Sequence, residues 1–199
     1  MTVILLHDSH VTDIHFHAEK LACDEFSFKI KLIFTLLHLK MEKNLNIRYQ
    51  EFENDTQLNA LEKKLFAAAS AARLQAYAPY SHFLVGCAIL LDNGEIISGN
   101  NQENAAYPSG LCAERTTIFW TSANYPDAKI KTIFVVGAPE NGETKFPTPP
   151  CGACRQSILE YESQQQESIE IYFASTSGII CKTFSVKDLL PFSFDRSFL

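Results

Sequence analysis

The sequence predicts an α/β fold, in which helices cover both faces of a mixed central sheet of about five strands. Segments with strand character alternate with segments whose apolar residues recur at helical spacing, a pattern typical of layered α/β domains. Two apolar runs are joined by Asp92-Asn93-Gly94, a turn sequence that favours a β-hairpin. The sheet is therefore expected to contain antiparallel as well as other pairings.

The length and charge of the chain limit its organisation and its partners. A chain of 199 residues can form one domain with a real hydrophobic core and a short extension. Its formal net charge of -6 provides no field that would attract a polyanion. Nucleic acid is therefore disfavoured as a partner.

Residues 1–45 differ from the rest and are expected to be a poorly ordered N-terminal extension. The first 40 residues contain five of the six histidines, for which a solvated tail is a better explanation than a metal site. An apolar patch at residues 32–37 is too short to span a bilayer, so no membrane partner is expected. A secretory leader is rejected because the apolar patch comes late in the segment. Whether the native chain starts at Met41 stays open.

The remaining elements follow from periodicity and turn signals. Leucines and alanines at helical spacing predict a helix over residues 56–75. The hairpin strands are expected at residues 83–91 and 95–99, followed by a polar loop over 100–110. Further elements are expected in this order: helix 112–123, strand 130–137, helix 151–162, strands 169–174 and 179–184, and a short helix 186–190.

Three cysteines are candidate zinc ligands, namely Cys112, Cys151 and Cys154. Cys151 and Cys154 are three residues apart, so their thiols share one face of a helix, and a helix N-terminus favours the thiolate form. Three thiolates leave the fourth tetrahedral position of zinc open for a water, which suggests catalysis. Glu114 supplies a carboxylate beside a ligand for proton transfer. This interpretation requires Cys112 to lie at a helix cap or in its first turn.

Two arginines and two further cysteines also bear on the interpretation of this site. Three thiolates on Zn²⁺ leave a charge of -1, which Arg115 or Arg155 could offset by donating to sulfur. Cys87 and Cys181 lie in apolar strand runs and are expected to be small buried hydrophobic residues. If one of them closed the site, the zinc would be structural and the protein an interaction module without chemistry. That hypothesis leaves Glu114 unexplained.

Four motifs closely resemble the small cytidine deaminases of pyrimidine salvage, over residues 58–194 and in the family's order and spacing. They are Tyr80-Ser81-His82-Phe83-Leu84-Val85-Gly86, Asn101-Gln102-Glu103-Asn104-Ala105-Ala106-Tyr107-Pro108, Cys112-Ala113-Glu114-Arg115 and Pro150-Cys151-Gly152-Ala153-Cys154-Arg155-Gln156. Cysteine as the first ligand resembles the homotetrameric members of the family. The segment before Met41 has no counterpart in the family.

The resemblance implies a zinc-dependent hydrolase. It would convert cytidine and deoxycytidine to uridine and deoxyuridine plus ammonia, by zinc-activated water with Glu114 as proton shuttle. The family's ligand set corresponds to Cys112, Cys151 and Cys154. A deaminase of a cytosine nucleoside antibiotic, of the blasticidin S type, remains the alternative within this class.

The resemblance also assigns substrate contacts. Phe83 would pack against the base, and the backbone of Ala113 would contact its polar edge. Asn101 and Glu103 would hold the ribose hydroxyls, and the Glu103 carboxylate would repel a phosphate. Phe194 would reach the site of a neighbouring subunit.

At the level of the whole molecule, the resemblance implies a layered cytidine-deaminase-like catalytic domain over residues 46–199. It further implies a cytoplasmic enzyme that forms a homotetramer, or a homodimer, and acts on a small-molecule nucleoside.

Overall fold

The computed structural model describes residues 27–29, 42–144 and 146–199. The chain divides into two units, Met1–Leu45 and Asn46–Leu199. In the first unit, residues 27–29 are helical. The expected disorder of the extension, the apolar patch at residues 32–37 and Met41 fall outside the described residues. In the part of the chain that is described, no helix has both the length and the apolar character needed to cross a membrane.

The second unit is built on a mixed sheet of six strands. The strands are β1 (Tyr49–Phe52), β2 (Phe83–Leu91), β3 (Ile96–Asn100), β4 (Ile130–Pro139), β5 (Glu170–Ala174) and β6 (Ile180–Thr183). Their spatial order is β1-β6-β5-β4-β2-β3, in which β4 and β5 are parallel and the other neighbours are antiparallel. The predicted mixed α/β sheet is therefore confirmed.

The predicted count of about five strands is wrong, because β1 was missed. This strand has only four residues, of which the first three are exposed, and it lies at an edge where it pairs with β6 alone. An exposed edge strand needs no apolar alternation, so its sequence carries no strand signal. The pairing of its backbone with β6 decides its conformation.

Three α-helices flank the sheet, namely α1 (Ala60–Arg73), α2 (Ala113–Asn124) and α3 (Gly152–Gln165). Helix α1 begins later than predicted because Asn59 caps it. The Asn59 side chain accepts from the amides of Leu61 and Glu62, and the Glu62 carboxylate accepts from the Asn59 amide at 2.7 Å. This reciprocal capping box fixes the helix start.

The two faces of the sheet carry separate apolar cores. On one face, Leu65 and Ala69 of α1 pack with residues of the central strands such as Phe134. On the opposite face, Ile118 of α2 and Ile158 of α3 pack with alternate residues of the same strands. Successive strand residues point to opposite faces, so one sheet serves both cores. The prediction of helices on both faces is confirmed.

Close contact between α1 and β2 ties the first helix to the sheet. Gly86 has no side chain where the Ala69 carbonyl approaches, since a Cβ there would lie 1.9 Å from that oxygen. At the end of α1, the buried Arg73 side chain donates to the carbonyls of Leu84 and Pro139. These contacts hold β2 in place at the end that carries the candidate site.

Candidate metal centre and active site

The starts of α2 and α3 bring three thiols together. Cys112 is the N-cap of α2, Cys151 is the N-cap of α3, and Cys154 lies buried in the first turn of α3. The Cys112 and Cys151 sulfurs are 3.8 Å apart, the Cys151 and Cys154 sulfurs 3.5 Å, and all three lie within 4.8 Å of one another. The required placement of Cys112 at a helix cap is confirmed.

This sulfur triangle fits zinc. Ligand sulfurs about 2.3 Å from zinc in tetrahedral geometry lie about 3.8 Å from one another, close to the two separations observed. Within residues 27–29, 42–144 and 146–199, this is the one group of three His, Cys, Asp or Glu side chains placed to share a metal ion. Cys87 and Cys181 are buried in strands and belong to no such group, as their apolar context predicted.

The interactions around the thiols shift the pKa values of Cys112 and Cys154 in opposite directions. Hydrogen bonds from the thiol of Cys154 and from Arg115 lower the pKa of Cys112 to about 5. The hydrogen bond with Cys112 and burial raise the pKa of Cys154. Neighbouring thiolates repel one another. A divalent cation between the sulfurs offsets this repulsion, so that all three sulfurs can bind as thiolates.

The two arginines beside the ligands have different contacts. Arg115 Nη2 donates to the Cys112 sulfur at 3.7 Å, the contact expected of a group that offsets thiolate charge. Arg155 instead donates to backbone carbonyls: its Nε donates to the carbonyl of Pro150 and its Nη1 to the carbonyl of Leu189. The sequence alone could not separate these roles, because each arginine belongs to a motif that contains a candidate ligand.

Glu114 lies in the first turn of α2 and is 4% exposed. Burial raises the pKa of its carboxyl to about 7, and the negative charge of Cys112 adds to this effect. A carboxyl group with a pKa near neutrality can both accept and donate a proton at physiological pH. Glu114 therefore follows the candidate ligand Cys112 by two residues, and its carboxyl group has a pKa that suits proton transfer.

A cavity of about 500 Å³ opens beside Cys112. It brings together the predicted contacts Asn101 and Glu103 with Cys112 and Arg115. Its size suits a small ligand such as a nucleoside. Phe83, Ala113, Glu114 and Phe194 do not line it. The full lining is Tyr80, Ser81, Asn101, Gln102, Glu103, Asn104, Tyr107, Gly110, Leu111, Cys112 and Arg115.

Glu103 is held by Tyr80 and Ser81, which belong to the first family motif but were assigned no role from the sequence. Its carboxylate accepts from the amides of Tyr80 at 2.9 Å and Ser81 at 3.2 Å. Hydrogen bonds from Ser81 and Tyr80 lower the pKa of this carboxyl, so it is ionised at neutral pH. The family motif marked these residues, but nothing in their spacing showed that they contact residue 103.

Asn101 joins the cavity to the first strand of the hairpin. Its side-chain oxygen accepts from the Val85 amide at 2.8 Å, and its amide nitrogen donates to the Phe83 carbonyl at 3.0 Å. A side-chain amide retains one further N–H and one further lone pair after such a pairing. Asn101 can therefore hold a ligand hydroxyl while it fixes the backbone at Phe83, whose ring is half-buried.

The last two predicted contacts, Ala113 and Phe194, lie outside the cavity lining. Ala113 is buried and is the first residue of α2, where a backbone N–H has no partner within the helix. Phe194 lies near the C-terminus with 59% of its surface exposed, and its ring stacks on Phe198.

Comparison with known proteins places this site in a family. The model of the cytidine and deoxycytidylate deaminase zinc-binding region matches residues 60–166, more than half of the chain, and this range contains all three thiols and Glu114. The chain is 40% identical over 134 residues to a cytidine deaminase of Sporosarcina psychrophila, covering 67% of this chain and 91% of that protein. The chain belongs to the cytidine deaminase family. The predicted family is thus confirmed, and zinc is the metal of this centre.

Other members of the cytidine deaminase family support the same assignment. A cytidine deaminase of Halalkalibacterium halodurans is 38% identical over 130 residues, covering 65% of this chain and 91% of that protein. The crystal structure of the Burkholderia pseudomallei cytidine deaminase superimposes with a TM-score of 0.57 at 40% identity, covering 66% of this chain and 97% of that one. The predicted fold of the family is confirmed as well.

Proposed function

We propose that this cytidine deaminase hydrolyses cytidine and deoxycytidine to uridine and deoxyuridine with release of ammonia, as a step of pyrimidine salvage. One observation carries the proposal, namely three thiols within 4.8 Å of one another at two helix starts, next to the buried carboxyl of Glu114. A site with three protein ligands leaves one position for catalysis.

Zinc bound by Cys112, Cys151 and Cys154 supplies a Lewis acid that lowers the pKa of a water. Glu114 carries the protons. It accepts one from the attacking water and gives it to N3 of the ring, and then moves a second proton from the new C4 hydroxyl to the amino group. The C4–N bond breaks, ammonia leaves and the C4 carbonyl forms. The raised pKa of Glu114 matches a group that must both take and return protons.

The cavity beside Cys112 suits the sugar of a nucleoside. Glu103 is fixed by two backbone amides, so its ionised carboxylate is ready to accept hydrogen bonds from ribose hydroxyls. The same charge opposes a phosphate group, which favours nucleosides over nucleotides. Asn101 adds a second polar contact, while Phe83 and the backbone of Ala113 hold the base.

We propose that residues 46–199 form the catalytic domain and that Met1–Leu45 is an extension that takes no part in the chemistry. The family match begins at residue 60, which supports this division. The enzyme is proposed to be a cytoplasmic homotetramer. Exposed aromatic residues near the C-terminus, Phe192, Phe194 and Phe198, support association between chains, with Phe194 reaching a neighbouring site. The free thiols among the described cysteines suit a reducing compartment.

The test is an ultraviolet absorbance assay on purified protein of known zinc content. Cytidine, deoxycytidine, free cytosine, dCMP and blasticidin S are offered separately. Turnover of both nucleosides, with little activity on dCMP or free cytosine, is expected. Preferential turnover of blasticidin S would replace salvage with antibiotic deamination, and zinc without turnover of any compound would indicate a structural centre.

A further inference from the structure

Cys151 directly precedes α3, at the end of the connection from β4. The described residues of this connection, 140–144 and 146–151, have no regular secondary structure. Cys154 lies buried in the helix, but the Cys151 residue is exposed. A ligand at a loop end needs fixed backbone if it is to meet a metal at a defined distance. The contacts of the preceding peptide, between Pro150 and Cys151, are therefore decisive.

Arg155 holds that peptide. Its Nε donates to the Pro150 carbonyl at 2.8 Å, and the same guanidinium donates through Nη1 to the Leu189 carbonyl at 2.7 Å. Both are charge-assisted bonds, which are stronger than bonds between neutral groups. One planar group thus joins the backbone before Cys151 to the backbone of the C-terminal segment.

The C-terminal segment is itself anchored to α3. The buried carboxylate of Glu162 accepts from the Val186 amide at 3.0 Å and from the Ser185 hydroxyl at 2.6 Å. Residues 155 and 162 are two helical turns apart and share one face of α3. The segment therefore runs back along α3 toward the thiols, and the Leu189 carbonyl meets Arg155 as a fixed acceptor.

We propose that Arg155 is a positioning residue of the zinc centre, which fixes Cys151 by bracing the Pro150 carbonyl against the anchored C-terminal segment at Leu189. The role rests on the proposed zinc site. It differs from that of Arg115, because Arg155 acts through backbone rather than on sulfur. A lysine carries the same charge but cannot reproduce the planar fork that reaches both carbonyls.

The test compares Arg155→Lys and Arg155→Gln with Gln156→Ala as the matched control. Gln156 is next in the chain and donates to the Phe194 carbonyl at 2.9 Å, so its loss also loosens the C-terminal segment but leaves Pro150 held. Zinc affinity is measured by chelator competition on the full-length, zinc-loaded proteins, well below the melting temperature of each variant. Melting temperatures are recorded alongside.

Both Arg155 variants are expected to lose about tenfold or more in zinc affinity, while Gln156→Ala stays within about twofold of the wild type. The Lys variant keeps the charge and most of the side chain, so it carries the test if the Gln variant does not fold. Zinc affinities within twofold of the wild type for a folded Arg155 variant, even with a lowered melting temperature, would overturn the role. Wild-type protein that binds no zinc would overturn the site itself, and the positioning role with it.

Discussion

At the scale of single residues, Glu114 and Glu103 show how the environment gives two carboxylates different properties. Glu114 is buried, and burial raises its pKa to about 7. Glu103 lines the cavity, and hydrogen bonds from Ser81 and Tyr80 lower its pKa. A group that exchanges protons and a group that stays ionised are therefore built from the same side chain.

Replacing Glu114 by Gln should abolish most of the activity without removing the metal. The amide has nearly the same shape as the carboxyl but cannot carry protons, so kcat is expected to fall about 10²- to 10⁴-fold. Zinc content, measured by atomic absorption, should stay at that of the wild type, because Glu114 is not a ligand. Turnover of cytidine at an unchanged rate would show that another group moves the protons.

Glu103→Gln tests the sugar contact. The neutral amide removes the charge that binds hydroxyls, so KM for cytidine is expected to rise about tenfold, with a smaller effect on kcat. Steady-state kinetics on cytidine and deoxycytidine measure both KM and kcat. Glu95→Gln, at the hairpin turn on the far end of β2, is the control and should leave KM as it is. Equal KM values for Glu103→Gln and the wild type would remove this residue from the sugar contact.

At the scale of elements, the contact between α1 and β2 has no room for a side chain at Gly86. Gly86→Ala should lower the free energy of unfolding by at least about 2 kcal/mol, because its Cβ would overlap the helix backbone at Ala69. Chemical denaturation monitored by circular dichroism measures the change. Gly142→Ala, where the Pro139 Cβ at 3.8 Å is the one near atom among the described residues, should change it by less than about 0.5 kcal/mol. Similar changes in the free energy of unfolding for Gly86→Ala and Gly142→Ala would show that Gly86 does not pack closely against α1.

The sequence predicted those elements whose residues are specified locally. The alanine-rich α1, the Asp92-Asn93-Gly94 hairpin and the Cys-x-x-Cys helix start each carry their own signal, and the structure has all three. Strand β1 was missed because its partner β6 is more than a hundred residues away and supplies what holds it. Within the site, the thiols were predictable from their spacing in the sequence. The support of Glu103 by Tyr80 and Ser81 is a tertiary contact that no local pattern encodes.

At the scale of the whole molecule, the chain combines the second unit, Asn46–Leu199, with a first unit, Met1–Leu45, that lies outside the family match. A protein of residues 46–199 should bind zinc and turn over cytidine at nearly the rate of the full chain, because the site and the family match lie in this unit. Comparison of kcat, KM and zinc content between the two proteins tests it. Loss of turnover with zinc retained would assign the extension a part in the site or in assembly.

One zinc on Cys112, Cys151 and Cys154 is proposed to enable deamination by Glu114. The most direct measurement removes the metal with a chelator under reducing conditions and then titrates zinc back while cytidine turnover is followed. Activity should vanish with the metal and return linearly up to about one zinc per chain. Glu114→Gln should take up the same amount of zinc without activity. Turnover that persists in protein freed of metal would show that deamination does not depend on zinc.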